Sequence, residues 1–423
     1  MYIRRTIYRE LLAHLAKKEI TVLIGARQVG KSTLMMKMVE EFKNKNVPTL
    51  YLNLDIEKDE KYLESQTSLL AKIKLEFGEE YGILFIDEIQ RKENAGRFLK
   101  GVYDTMPNFK IVISGSGSLE LKEKITESLA GRKRVFEISP VSFWEFVDFS
   151  TAYKYSGNLD SFLVIEKDDA EKFLKEYLLF GGYPNVITSV TAEEKKTVIS
   201  EIFTSYLNRD IRALLNIHHV SAYSKLIDIL SQQTSYPVKY SSLSQYVTIS
   251  ANTVKDYIWY MEHTYIIRKS LPFYTNPLKE IVKEPTVYFV DLGMLNYKRN
   301  NLFADYNTPS FGFIFQNFIF NLLYDEFNSE GIQLKYWRTK DQAEVDIIID
   351  IPGNPIPVEI KYGDLAVKRI SRSMRSFIRK YQPKLAVYIG KNTHAEYQID
   401  NTLVISIPYG DCRGLYSILQ EKL

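Results

Sequence analysis

Cysteine is nearly missing from this chain: Cys412 is the single thiol in 423 residues. One thiol excludes an intramolecular disulfide and a cysteine-built zinc site, which suits a reducing, cytoplasmic setting. No run of eighteen apolar residues occurs, so no membrane span is expected. The start, Met1-Tyr2-Ile3-Arg4-Arg5, has charge without a following apolar core and is not expected to be a secretory signal. Internal repeats and low-complexity tracts are lacking too. The net charge of +3 is too small to imply a nucleic-acid partner by itself, so any basic surface must be local. What remains, 45% hydrophobic and 25% charged residues, is ordinary for a soluble globular protein. The length predicts two to four domains.

Residues 20 to 33 form an apolar, β-branched run that feeds a glycine-rich turn and then a helical pattern. The turn reads Gly25-Ala26-Arg27-Gln28-Val29-Gly30-Lys31-Ser32-Thr33, the spacing of a P-loop. Gly25 and Gly30 let successive backbone N–H groups converge on phosphate oxygens, and a helix opening near Lys31 adds its positive dipole end. Lys31 is expected to reach the β- and γ-phosphates and Ser32 to sit on Mg²⁺. ATP and Mg²⁺ are therefore the ligands to expect.

A second strand, Tyr81 to Glu88, is apolar on both faces and ends in two carboxylates. Ligands bind at the carboxyl ends of such strands. There Asp87 is expected to hold Mg²⁺ through water, and Glu88 to polarise the water that attacks the γ-phosphate. Pro48–Asp55 and Lys110–Ser116 complete the strand pattern. Ser114 or Ser116 lies where a hydroxyl could meet the γ-phosphate or the attacking water, or simply ends a strand in a turn. Arg132, with Arg134 and Arg27 behind it, is the candidate to stabilise transition-state charge. Whether it serves its own subunit or a neighbour stays open, and homo-oligomerisation with it.

Strand–helix alternation up to about Pro140 predicts a parallel α/β sheet. From Val141 to Tyr223 the pattern is mostly helical, punctuated by Gly181-Gly182-Tyr183-Pro184, which either stops a helix or touches the nucleotide. Residues 239 to 271 read as a winged helix-turn-helix, with helices at Ser241–Val247 and Ala251–Glu262 and a wing strand at 265–269. The second helix offers only Lys255 as a cation, beside Asp256 and Glu262, which favours internal switching over groove reading.

The last third holds a second constellation. A hairpin from Tyr336 to Lys361 would bring Asp346 beside Glu359 and Lys361, two carboxylates and an ammonium able to hold a hard cation and orient water. Sites of this D…E-x-K form cut phosphodiester bonds, and the alternative is an amphipathic hairpin with solvated charges. Lys368, Arg372, Arg375 and Arg379 fall on one helical stripe opposite Ile370, Met374, Phe377, Ile378 and Tyr381. Four stacked cations call for a phosphate backbone, DNA ahead of RNA, unless the face is merely solvated.

Taken together, Gly25–Ser32, Asp87-Glu88-Ile89-Gln90, Leu129-Ala130-Gly131-Arg132, Gly181–Pro184, Ala343–Asp346 and Val358–Lys361 give the chain a family resemblance. It resembles prokaryotic AAA-type ATPases related to signal-transducing NTPases. These carry a helical lid, a winged helix and a carboxy-terminal domain of unknown function similar to PD-(D/E)xK, restriction-endonuclease-like nucleases. The resemblance implies a P-loop ATPase core at 1–140, a lid at 141–223, a winged helix and connector at 224–300 and a nuclease-like α/β domain at 301–423. It implies ATP hydrolysis that switches a DNA-associating domain, with Pro184 reporting nucleotide state to the winged helix. The family pattern has a carboxylate on the first helix of the nuclease-like domain, where this chain has the neutral Gln316. Cleavage and binding without cleavage both remain open.

Overall fold

The computed structural model describes residues 1–423 except 106–107, 117–127, 215–218, 276–279, 281–282, 304–309 and 364–369. The side chains of Ser116, Ala213, Leu214 and Ser310 also lie outside the described residues. The chain divides into two units, each discontinuous in sequence. The first comprises Met1–Ala152, Gly182–Val220 and Trp259–Ile266; the second comprises Tyr153–Gly181, Ser221–Ile258 and Ile267–Leu423.

The first unit is built on five parallel strands: β1 (Ile20–Gly25), β2 (Thr49–Asn53), β3 (Gly82–Asp87), β4 (Phe109–Ser116) and β5 (Lys133–Glu137), in the order β2-β3-β4-β1-β5. Strands β1 and β3 are buried at every position, because each has a strand on both sides and is apolar on both faces. The edge strand β5 buries only Phe136 among mostly exposed neighbours, including Arg134, so its sequence carries little strand signal. All five strands run the same way, so the loops after β1, β3 and β4 gather at one end. The stretches expected as strands at 48–55, 81–88 and 110–116 match β2, β3 and β4 to within a residue or two.

Helix Pro184–Thr188 and helix Ala192–Ser205 follow in the same unit, the second opened by a capping box between Thr191 and Glu194. Helix Ala192–Ser205 runs on into a π-helical stretch, Tyr206–Leu214. Inserted π turns are rare and concentrate at functional sites.

The second unit contains an antiparallel ribbon, β6 (Ile267–Ser270) with β7 (Thr286–Phe289). It also holds a six-stranded mixed sheet of β8 (Leu334–Arg338), β9 (Glu344–Ile349), β10 (Ile356–Ile360), β11 (Leu385–Gly390), β12 (Ala395–Ile399) and β13 (Thr402–Pro408). The order is β12-β13-β11-β10-β9-β8, with β10, β11 and β13 mutually parallel and the flanking pairs antiparallel. Helix Arg372–Tyr381 packs Met374 and Ile378 against Tyr388 and Val404, and Phe377 against Trp337 and Ile348. The other face of this helix is left to solvent. Upstream of the ribbon, helices Tyr240–Val247 and Ala251–His263 flank a turn at Thr248, whose φ of 58° reverses the chain. Val254, Ile258 and Met261 are buried, as their spacing predicts. Among the described residues no helix is long and apolar enough to cross a membrane.

Candidate active site

The turn after β1 is shaped by backbone geometry that few residues tolerate. Gly25, Gln28 and Gly30 have φ of 152°, 61° and 98°. A Cβ on Gly25 would lie 2.2 Å from the carbonyl oxygen of Ile138, so only glycine fits there. Helix Lys31–Asn44 starts directly after Gly30, and no side chain caps its first N–H groups. Such an end offers backbone donors and a positive dipole to an anion.

Lys31 is 6% exposed and donates its Nζ to the carbonyls of Gly25 at 3.0 Å and Ala26 at 2.7 Å. Burial pulls its pKa down to about 8, against the opposing pull of Glu88, Asp87 and Asp210. Arg5 ties the loop to the rest of the unit. Its guanidinium donates to the carbonyls of Val29, Ser139 and Pro140 and pairs with Glu145 at 2.9 Å. Ser32 and Thr33 stand exposed at the mouth of the turn. Pro184 adjoins it as well, with its Cγ 3.9 Å from where a Cβ on Gly30 would sit.

Asp87 ends β3 and is 1% exposed. Tyr51 of β2 donates its hydroxyl to Oδ2 at 2.8 Å, and Ser114 of β4 donates to Oδ1. A buried carboxylate fixed by two hydroxyls keeps lone pairs for a cation or its water. Glu88 follows in the left-handed region, φ 56°, and its carboxylate accepts a hydrogen bond from the Gln90 amide. The Ser32 hydroxyl and the Asp87 carboxylate are hard oxygen donors, the chemistry that suits Mg²⁺. Of the two serines left open, Ser114 orients Asp87. The backbone of Ser116 pairs with Gly25, while its side chain lies outside the described residues.

Two arginine candidates lie at different places. The Arg132 carbonyl accepts the N–H of Ile20, and its guanidinium pairs with Asp104 at 2.9 Å. It therefore lies at the amino end of the strands, a strand length (roughly 20 Å) from its own P-loop, and cannot serve that loop. Arg27 is in the loop but is held by Asp210, with Nε 2.7 Å from Oδ2. Neither Asp210 nor Tyr51 was marked by the sequence. Asp210 sits almost two hundred residues downstream, and a tyrosine within a strand reads as core.

In the second unit Asp346, Glu359 and Lys361 do converge. The β9–β10 register pairs Val358 with Ile347, and one step further sets Glu359 against Asp346. Lys361 Nζ lies 2.9 Å from Glu359 Oε1, and Ser371 donates to Oε2. Asp346 accepts the Ile360 N–H at 2.8 Å on Oδ2 and the Gln316 amide at 3.3 Å on Oδ1. A neutral amide thus stands where a carboxylate was expected. Burial pushes Asp346 up to about 7; the Ile360 N–H and Lys361 oppose this, and Glu359 adds to it. Among the described residues no group of three or more His, Cys, Asp or Glu side chains is placed to hold a metal. The site has two carboxylates, each already given donors.

Arg372, Arg375 and Arg379 share the exposed face of helix Arg372–Tyr381, where they line a shallow depression with Ser376 and Lys380. Lys368 lies outside the described residues. Ser371 both caps this helix and reaches Glu359, so the basic face begins beside the carboxylate pair. Lys255, the one lysine or arginine of helix Ala251–His263, rests over the ring of Tyr240 at 5.5 Å.

Residues 17–147 match the family model of an AAA domain, 171–304 a domain of unknown function (DUF8612) and 311–410 a second domain of unknown function (DUF4143). The stretch of the first unit that carries the P-loop is thus similar to an AAA domain. An uncharacterized protein of Methanocaldococcus jannaschii is 27% identical over 357 residues, covering 82% of this chain and 75% of the relative. An uncharacterized protein of Mycobacterium tuberculosis is 24% identical over 411 residues, covering 96% and 83%. Among solved structures, the Aeropyrum pernix Orc1 protein in complex with DNA aligns at 12% identity and a TM-score of 0.30, covering 70% of this chain and 92% of that one. Cdc6p from Pyrobaculum aerophilum aligns at 12% identity and a TM-score of 0.29, covering 71% and 95%.

Proposed function

We propose that this chain is an Mg²⁺-dependent ATPase whose nucleotide state switches a DNA-associating, nuclease-like carboxy-terminal domain. The observation that carries the reading is the placement of Lys31, Asp87 and Glu88 at one end of the parallel strands β1 and β3, which flank β4, beside an uncapped helix start. The amides of Gly25 to Gly30 and the Lys31 ammonium bind the triphosphate tail. Ser32 and Asp87 would hold Mg²⁺, which would supply positive charge to the phosphate oxygens. Glu88, fixed by Gln90, accepts a proton as water adds to the γ-phosphorus and the bond to the bridging oxygen of ADP breaks. Arg132, out of reach of its own P-loop, serves a neighbouring copy. Pro184 passes nucleotide state toward the winged helix, a reading that the helices Tyr240–Val247 and Ala251–His263 and the β6–β7 ribbon support. The four domain segments 1–140, 141–223, 224–300 and 301–423 belong to the same proposal.

Arg372, Arg375 and Arg379 hold the DNA backbone beside Asp346, Glu359 and Lys361. The Gln316 amide on Asp346 favours a second reading, in which this domain binds without cutting. The test of the main reading is calorimetry and turnover on full-length protein. Lys31→Ala should lose ATP affinity, whereas Glu88→Gln should keep it and stop turnover. Unchanged hydrolysis in both variants would overturn the assignment. Incubation of DNA with Mg²⁺ or Mn²⁺, with Asp346→Ala as control, separates the two readings of the last domain.

A further inference from the structure

We propose that Asp210 is a positioning residue of the nucleotide site, aiming Arg27 so that one guanidinium serves the carboxylate and the triphosphate tail together. The proposal rests on the ATPase reading and adds an element to it, the π-helical stretch Tyr206–Leu214. Arg27 lies within the turn whose amides face the phosphates, just before the left-handed Gln28. Its Nε is 2.7 Å from Asp210 Oδ2, with the side chains 16% and 9% exposed. A guanidinium has five N–H donors in a planar fork. Using Nε leaves those on the two terminal nitrogens to meet phosphate oxygens.

The electrostatic setting agrees. Burial pushes the Asp210 carboxyl up, Arg27 and then Lys31 pull it down, and Glu88 pushes it up again. Asp210 is thus within the field of both residues assigned to binding and chemistry, yet it touches neither of them in the described contacts. A buried carboxylate this close to a polyanion site is costly unless something uses it. Orienting an arginine toward that polyanion is such a use, and lysine could not replace it. An ammonium can pair with Asp210 but lacks the rigid fork that reaches two anions at once.

The same stretch anchors one turn earlier. The hydroxyls of Tyr206 and Thr264 are 2.9 Å apart and buried. The π-helical stretch is therefore fixed by side chains at its first residue and at its middle, the latter at the P-loop.

The experiment compares full-length wild type, Arg27→Lys and Asp210→Asn by thermal melting, ADP calorimetry and steady-state ATP turnover. Arg27→Lys keeps the charge and the partner. It should melt within about 2 °C of wild type and keep ADP affinity within about threefold, while kcat falls about tenfold or more. Asp210→Asn should lower kcat similarly, and the double variant should fall no further than either single one. If Arg27→Lys turns over ATP normally, the ion pair is only a brace and the proposal is wrong, whether or not Asp210→Asn folds. If wild type itself neither binds nor hydrolyses ATP, the ATPase reading fails first, and this result tells the two failures apart.

Discussion

Ser114 of β4 and Tyr51 of β2 hold the two oxygens of Asp87 from opposite sides. Three neighbouring strands thus fix one carboxylate, and the two side-chain donors are neutral hydroxyls, with the Glu88 N–H adding a third bond at 3.1 Å. Burial, and then Asp87 itself, push the Tyr51 phenol far above its ordinary range, so it remains a donor at any working pH. A hydrogen bond to a charged group contributes about 1.5–3 kcal/mol. Tyr51→Phe and Ser114→Ala should each weaken MgATP binding roughly tenfold and affect Mg²⁺-free nucleotide much less. Titrating ATP with and without Mg²⁺ by calorimetry reads the difference.

Gly25 makes the sharpest prediction about stability. Its φ is 152°, and the obstacle to a side chain is the backbone of Ile138, which cannot swing aside as a flexible side chain could. Gly25→Ala should lower stability by about 3 kcal/mol, measured by urea denaturation. The same change at Gly131, with nothing near its Cβ position, meets only the strain of φ 72°. It should cost about 1 kcal/mol.

Asp346 gives a pH dependence. Its ordinary value of 3.8 is raised to about 7. Between these two values the folded chain binds more protons at this group than the unfolded chain does. Its contribution to stability is therefore complete below about pH 4 and lost as pH rises through about 7. Asp346→Asn removes the buried charge. Its melting temperature relative to wild type should rise by a few degrees from pH 4 to pH 8, and a flat difference across that range would contradict the shift.

The basic helix is tested by salt. Each phosphate contact contributes nearly one unit to the slope of log affinity against log salt. Replacing Arg372 and Arg375 by alanine should weaken binding to any duplex sequence and reduce the slope by about two. Both side chains are exposed while Met374, Phe377 and Ile378 form the buried face, so the fold should survive the double change.

The P-loop and the two apolar strands could be read because their chemistry is local: a glycine spacing, an apolar run, a pair of terminal carboxylates. The hairpin of Asp346, Glu359 and Lys361 could be read because alternation and one turn set its register. The edge strand β5 escaped because half-buried Lys133 and exposed Arg134 and Val135 resemble a loop. Arg132 was read by motif alone, and motif does not say at which end of a strand a residue lies. The partners of Asp87 and Arg27 escaped for a third reason. Tyr51 and Asp210 are brought in by strand order and by a distant π turn, which leave no periodicity in the sequence, while Ser114 was marked for the phosphate or its water and is found bonded to Asp87.

The first unit draws on three separate stretches of chain, and Asp210 and Pro184 come from the second of them. A gene fragment ended at the close of the AAA match would encode the phosphate loop but not the residues that lean on it. Recombination at that seam should therefore yield crippled hybrids, and the nucleotide engine and the helices after it should be inherited as one piece.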